Sequence, residues 1–250
     1  MESYRVFLFD FDGTVSESAP GIIKSVQYSL RSLGIEETDM DVLKTFIGPP
    51  LNVQYRKVYG LTDEQIVTAV TKFRELYETK GILDCRPYPG LDRLFREATE
   101  KGKILAVASS KPEPFVEEIV ESFGFTDYFT AICGSDIGDE LKPKPAGSQK
   151  ARIIRKALAR LAEAGVPEED LARAVMIGDT QYDVCGAREN DIPCVGITYG
   201  YGTREELEES GADSITDSPD GLRKLLLSAP AEELCGNRGA IPCPDSVPAL

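Results

Sequence analysis

Apolar residues along this chain follow two alternating patterns. Short, nearly continuous apolar runs occupy 5–10, 103–109, 128–133, 174–177, 193–197 and, more briefly, 213–216. Between them lie longer stretches with helical periodicity, at 90–101, 113–123, 148–164, 180–190 and 218–228. The runs have the length and apolar density of strands buried on both faces. Strands that alternate with helices predict an α/β fold, a doubly wound parallel sheet with a Rossmann-like core.

Residues 15–85 break that rhythm. Helical periodicity recurs at 21–33, 41–46, 51–59 and 62–80, with no convincing strand among them. A helical block inserted after the first strand predicts an α-helical cap domain over 16–85, hinged near 15–19 and 82–88. The α/β core domain is then built from 1–15 and 86–228. The cap follows directly on an acidic strand end, so it can close over the carboxyl ends of the strands and exclude water. The plainer reading is that these helices simply pack on the sheet. The last stretch, 229–250, holds four prolines, two glycines and two cysteines without periodicity and is expected to be a flexible C-terminal tail.

Composition narrows the chemistry. The 250 residues carry a formal net charge of −14, which offers no global positive field for nucleic acid or an anionic membrane. A small phosphorylated metabolite remains open as a partner, because a few local cations suffice for it. No apolar run is long enough to span a bilayer, and no signal-peptide pattern opens the chain. The six cysteines form no C-x-x-C pair and read as mostly reduced thiols, which points to a cytoplasmic protein, monomer or homodimer. Histidine is absent. Acid–base and metal chemistry must therefore run on carboxylates, lysines, hydroxyls and cysteines, and a metal site is expected to be all-oxygen.

Four predicted strand ends carry reactive side chains. The first strand ends on Asp10 and Asp12, followed by Gly13 and Thr14. Two carboxylates at close range repel one another, and a hard divalent cation relieves that cost. The second strand runs into Ser109-Ser110-Lys111-Pro112, hydroxyls expected to open a helix whose N-terminal amides favour an anion. A lysine loop, Lys142-Pro143-Lys144-Pro145, leads to Lys150. The fourth end is Gly178-Asp179-Thr180-Gln181-Tyr182-Asp183, with Asp183 one helical turn beyond Asp179. Singly, these are a turn pair, a helix cap, a solvated loop and another cap. Together, at one rim of one sheet, acids for a cation and hydroxyls plus lysine for an anion describe phosphoryl transfer.

The Asp-x-Asp-Gly-Thr run at 10–14, Ser109 at a strand end, a lysine before a helix, and Gly-Asp-x-x-x-Asp at 178–183 resemble the four motifs of the haloacid dehalogenase-like hydrolase superfamily. Within it the chain looks like the phosphoglycolate phosphatase and 5′-nucleotidase-like members, through Phe46-Ile47-Gly48-Pro49-Pro50-Leu51 and Tyr199-Gly200-Tyr201-Gly202. The resemblance implies that Asp10 is a nucleophile forming an aspartyl-phosphate. Asp12 then serves as acid toward the leaving group and later as base toward water. It also implies Mg²⁺ held by Asp10, the Asp12 carbonyl and Asp179, with Asp183 as a further ligand or support. Ser109 and Ser110 hold phosphate oxygens, Gly13 permits close backbone approach, and Thr14 positions the hinge. The motif lysine is Lys150 or Lys142. Gly48 and Pro49 are expected to face the reacting centre from the cap, and Lys111 to meet a substrate anion or solvent. The expected activity is a Mg²⁺-dependent phosphomonoesterase. The alternatives are a phosphosugar mutase on the same fold, a phospho-accepting signalling module, or a binding protein without turnover.

Overall fold

The computed structural model describes residues 4–137 and 148–228. Lys142 and the stretch 229–250 lie outside them. The first strand, β1, spans Val6–Phe9 and sits near the middle of a six-stranded sheet. The other members are β4 (Ile104–Pro112), β5 (Phe129–Ser135), β6 (Ala174–Gly178), β7 (Cys194–Ile197) and β8 (Ser214–Thr216). Their order is β5-β4-β1-β6-β7-β8, and every pairing is parallel. The chain reverses its winding direction at β1, between β4 and β6, which is where open parallel sheets bind ligands.

Alternation along β1 divides the core. Phe7 and Phe9 join a cluster with α5 (Leu91–Glu100), α6 (Glu113–Ser122) and α11 (Pro219–Ser228). Val6 and Leu8 join a second cluster on the opposite face with α7 (Gln149–Glu163), α9 (Gln181–Arg188) and α10 (Arg204–Ser210). All four β1 side chains are buried, which is why the strand reads as an unbroken apolar run.

The predicted helical insertion is present after β1. It holds α1 (Ala19–Ser32), α2 (Met40–Lys44), α3 (Leu51–Tyr59) and α4 (Asp63–Leu76). Ile22, Ile23, Val26 and Leu30 of α1 pack with Ile66, Val70 and Phe73 of α4 in a cluster continuous with the Phe7–Phe9 side of the core. Thr62 starts α4 with a capping box to Gln65. The α-helical pattern ends at Leu76, earlier than the periodicity to 80 suggested. A π turn over Tyr77–Gly81 takes over, closed by the Ile82 amide on Tyr77 O at 2.8 Å.

Three further departures have physical causes. The two chain crossings into the insertion pair as a ribbon, β2 (Ser16–Glu17) with β3 (Arg86–Pro87), each too short to show a period. Helix α10 was not expected, because Leu207 is its single buried apolar residue and gives no repeat to read. Ser109 and Ser110 do not open a helix: β4 continues through them to Pro112, after a register shift that pairs Pro112 with Ser135. The Ser135 hydroxyl donates to Ser110 O at 2.9 Å and fixes that extension. Cys85, Cys133 and Cys194 are free thiols, as expected.

Candidate active site

Strands β1 and β6 lie side by side, with Phe9 opposite Ile177, and the Asp10 amide continues the ladder to Ile177 O at 2.9 Å. Asp10 and Asp179 are the residues immediately beyond these two strand ends. Asp183 arrives from the first turn of α9. There its Oδ2 accepts from the Thr180 amide at 3.1 Å and the Thr180 hydroxyl at 2.9 Å. The carboxylates of Asp10, Asp179 and Asp183 are buried and offer oxygens within 4.8 Å of one another.

Lys150, in the first turn of α7, reaches into this cluster. Its Nζ lies 2.7 Å from Asp10 Oδ1 and 2.8 Å from Asp183 Oδ1, and it donates to Ala108 O at 3.2 Å. A Cβ on Gly186 of α9 would stand 2.6 Å from Lys150 Cγ, so the bare glycine makes room for the lysine stem.

One ammonium among three buried acids leaves excess negative charge. Burial is the main force lifting the Asp10 pKa to about 6; Asp183 adds to it and Lys150 opposes it. Asp179 is pushed well above the usual carboxylate range by burial first, then by Asp183 and Asp10. The Tyr201 amide at 2.8 Å and the Thr14 hydroxyl at 3.1 Å offset this only in part. Burial works against the Lys150 ammonium, but Asp10 and Asp183 outweigh it and its pKa rises.

The cluster fits a hard divalent cation. Asp10 Oδ1 and Asp183 Oδ1 are buried and share the single ammonium of Lys150, which leaves the third acid, Asp179, without a cation. The donors are all carboxylate oxygens, the chemistry that Mg²⁺ accepts. Gly13 confirms how tightly the site is built. Its φ is +87°, and a Cβ there would lie 2.1 Å from Asp179 Oδ2.

Asp12 does not crowd Asp10 as the sequence suggested. Its carboxylate turns to a second lysine: Lys111 Nζ donates to both oxygens at 3.1 Å. That ammonium also sits 4.7 Å from the centre of the Tyr77 ring. Burial disfavours the Lys111 charge, but Asp12 and Tyr77 outweigh it and the pKa rises. Asp12, Ser110 and Lys111 line a cleft from the core side. The cap covers it with Phe46, Gly48, Pro49, Phe73 and Tyr77.

The other expected residues have definite places. Ser109 is buried and its hydroxyl accepts from the Lys111 amide at 3.3 Å. Thr14 binds Asp179 directly. Gly48, at φ +99°, stands over the core so closely that a Cβ would meet Thr180 Cγ2 at 3.6 Å. Sequence reasoning missed the Lys111–Asp12 pair, the Tyr77 ring and the Tyr201 amide. Lys111 and Tyr201 both lay inside runs already singled out.

Residues 7–197 match the haloacid dehalogenase-like hydrolase family. The chain belongs to that family. It is 36% identical over 227 residues to a 5′-nucleotidase of Pseudomonas aeruginosa, covering 90% of this chain and 96% of that one. It is 30% identical to the tyrosine-protein kinase PtkA of Mycobacterium tuberculosis, over 90% of this chain and 73% of the relative. Among solved structures, a predicted phosphatase from Clostridium acetobutylicum superposes with a TM-score of 0.81. It is 38% identical, over 91% of this chain and all of the other. The protein is thus a haloacid dehalogenase-like hydrolase, an enzyme with a doubly wound core and an inserted helical cap. Among its described residues no helix is long and apolar enough to cross a membrane.

Proposed function

We propose that this hydrolase is a Mg²⁺-dependent phosphomonoesterase acting on a small phosphorylated metabolite, in the range of nucleoside monophosphates and phosphoglycolate. The observation that carries the reading is the convergence of Asp10, Asp179 and Asp183 within 4.8 Å, beside a lysine that bridges two of them. The 5′-nucleotidase name of one relative supports the nucleotide end of that range.

Asp10 attacks the phosphorus, and the bond to the ester oxygen breaks as Asp12 gives that oxygen a proton. Asp12 then takes a proton from water, which attacks the aspartyl-phosphate. Inorganic phosphate leaves and Asp10 is regenerated. Lys150, Ser109 and the Ser110 amide bind the phosphoryl oxygens as their charge redistributes. Asp10, Asp179, Asp183 and the Asp12 carbonyl would hold Mg²⁺, which would supply charge neutralisation for the phosphate. Both Asp12 oxygens accept from Lys111 in the resting enzyme, so before the first step one of them must leave Lys111 and take up a proton from solvent; the proton later taken from the attacking water restores that state for the next turnover. Residues 1–15 and 86–228 are the chemical core in this reading. Residues 16–85 are the cap whose aromatic wall meets the leaving group.

Phosphate release from a panel of nucleoside monophosphates, phosphoglycolate, sugar phosphates and pyrophosphate, with and without EDTA, tests the proposal. Turnover without a bisphosphorylated activator, stopped by EDTA and by Asp10→Asn, is the expected result. Release that survives both treatments refutes it.

A further inference from the structure

The loop after β7, Tyr199-Gly200-Tyr201-Gly202, takes no part in the chemistry above, yet it joins the acid cluster to the cap. The Tyr201 amide donates to Asp179 Oδ2 at 2.8 Å. The hydroxyl of the same residue accepts from the Ala19 amide at 2.8 Å. Ala19 is the first residue of α1, and the amides of a helix's first turn need acceptors from outside the helix. Ser18 stands in the cap position but provides no side-chain cap. A core tyrosine, 182 residues away in sequence, provides the acceptor instead.

The connection has no slack. A Cβ on Gly200 would lie 2.4 Å from Asp179 Cβ and 2.5 Å from Gly13 O, and one on Gly202 would lie 1.9 Å from Asp179 O. Tyr199 closes the other side. Its hydroxyl donates to Thr14 O at 3.2 Å, and its ring packs edge-on to Tyr88, just past β3, at 4.9 Å. The loop therefore touches Asp179 and both chain crossings into the cap. Asp179 is thus connected, through one hydrogen bond and the Tyr201 backbone, to an aromatic ring whose hydroxyl holds the start of α1.

We propose that Tyr201 is a positioning residue that couples occupancy of the acid cluster to the pose of the cap. The inference rests on the Mg²⁺ reading given above. A cation that steadies Asp179 steadies the start of α1. By reciprocity, a cap held in that pose favours the cation.

The Gly21 amide reports on this linkage. It donates to Asp84 O at 3.1 Å, across to the second crossing, and does not touch Tyr201 itself. Its hydrogen exchange is measured by NMR with and without Mg²⁺, while calorimetry follows Mg²⁺ binding. In the wild type, Mg²⁺ is expected to slow Gly21 exchange by about fivefold or more. In Tyr201→Phe the Mg²⁺ effect should shrink below about twofold. Tyr199→Phe loses a comparable bond that does not reach α1, and should keep the full effect. A tyrosine with a purely structural role would lower Gly21 protection equally with and without Mg²⁺, and that result overturns the proposal. Mg²⁺ binding to the wild type with no change at Gly21 overturns the coupling alone, even where Tyr201→Phe fails to fold. Absence of Mg²⁺ binding removes the metal reading, and the coupling with it.

Discussion

Replacing Asp10 by Asn should stabilise the metal-free protein, and the size of the gain follows from the site. The Asp10 carboxyl ionises near 3.8 when free of its surroundings and at about 6 in the fold. A group with a raised pKa binds its proton more tightly when folded. Its stabilising contribution is whole below pH 3.8 and is lost as the pH rises through about 6. The gap is roughly two pK units, so ionised Asp10 costs the fold about 3 kcal/mol. Burial is the dominant source of that cost; Lys150 offsets part of it and Asp183 adds a smaller share. Asn keeps the shape and drops the charge.

In EDTA at pH 8, Asp10→Asn should therefore exceed the wild type in unfolding free energy by about 3 kcal/mol, read from urea melts. At pH 5, between the two pKa values, the difference should fall to about half as the wild type recovers. The surface carboxyls with lowered pKa, such as Glu36 and Asp220, lose their contributions only as the pH falls below their ordinary values of 4.5 and 3.8. They therefore add no slope of their own between pH 5 and 8. Saturating Mg²⁺ should reverse the order, because the wild type gains binding free energy that the variant gives up. A variant no more stable than the wild type at pH 8 in EDTA, or a difference that widens on acidification, would refute the electrostatic account of the cluster.

Three other outcomes follow from the same geometry. Lys150→Met should cut phosphate release at least about 10³-fold, while Lys142→Ala stays close to the wild type. In EDTA the Lys150 variant should also lose about 3–5 kcal/mol of stability, since two buried carboxylates lose their shared cation. Gly13→Ala forces a Cβ against Asp179 Oδ2 at a φ of +87°, so its Mg²⁺ affinity by calorimetry should fall about 10–100-fold. Ser109→Ala should lower kcat about 10²-fold or more with unaltered melting, because the hydroxyl is expected to act on the transferring phosphoryl group.

The sheet and its acid rim were legible in the chain because they rest on local signals. Doubly buried strands leave unbroken apolar runs, and Asp10, Asp179 and Asp183 stand at fixed offsets from strand ends that the pattern locates. The parts that escaped depend on where a long side chain goes after it leaves the backbone. Lys111 was expected to meet a substrate anion or solvent; it turns inward to Asp12 because β4 runs straight through Ser109 and Ser110 instead of ending there. Thr14, expected to serve the hinge, binds Asp179 because the turn at Gly13 brings it back over β6. The reach of Lys150 into the acid cluster could not be read from spacing alone, since the gap at Gly186 that admits its stem belongs to another helix.

The two buried lysines divide the rim between them. Lys150 is buried beside the acids and touches Asp10, Asp183 and a strand carbonyl, groups that do not depend on which leaving group the substrate carries. Lys111 lines the cleft, with Tyr77 of the cap against its ammonium, and the proposed mechanism rests the leaving group there. In that mechanism a leaving group that draws the ammonium toward itself would release an Asp12 oxygen from it, so that proton delivery and recognition of the leaving group would run through one side chain. The proposed mechanism thus places the general chemistry at the ends of β1 and β6, while the Asp12–Lys111 pair is where the identity of the substrate enters.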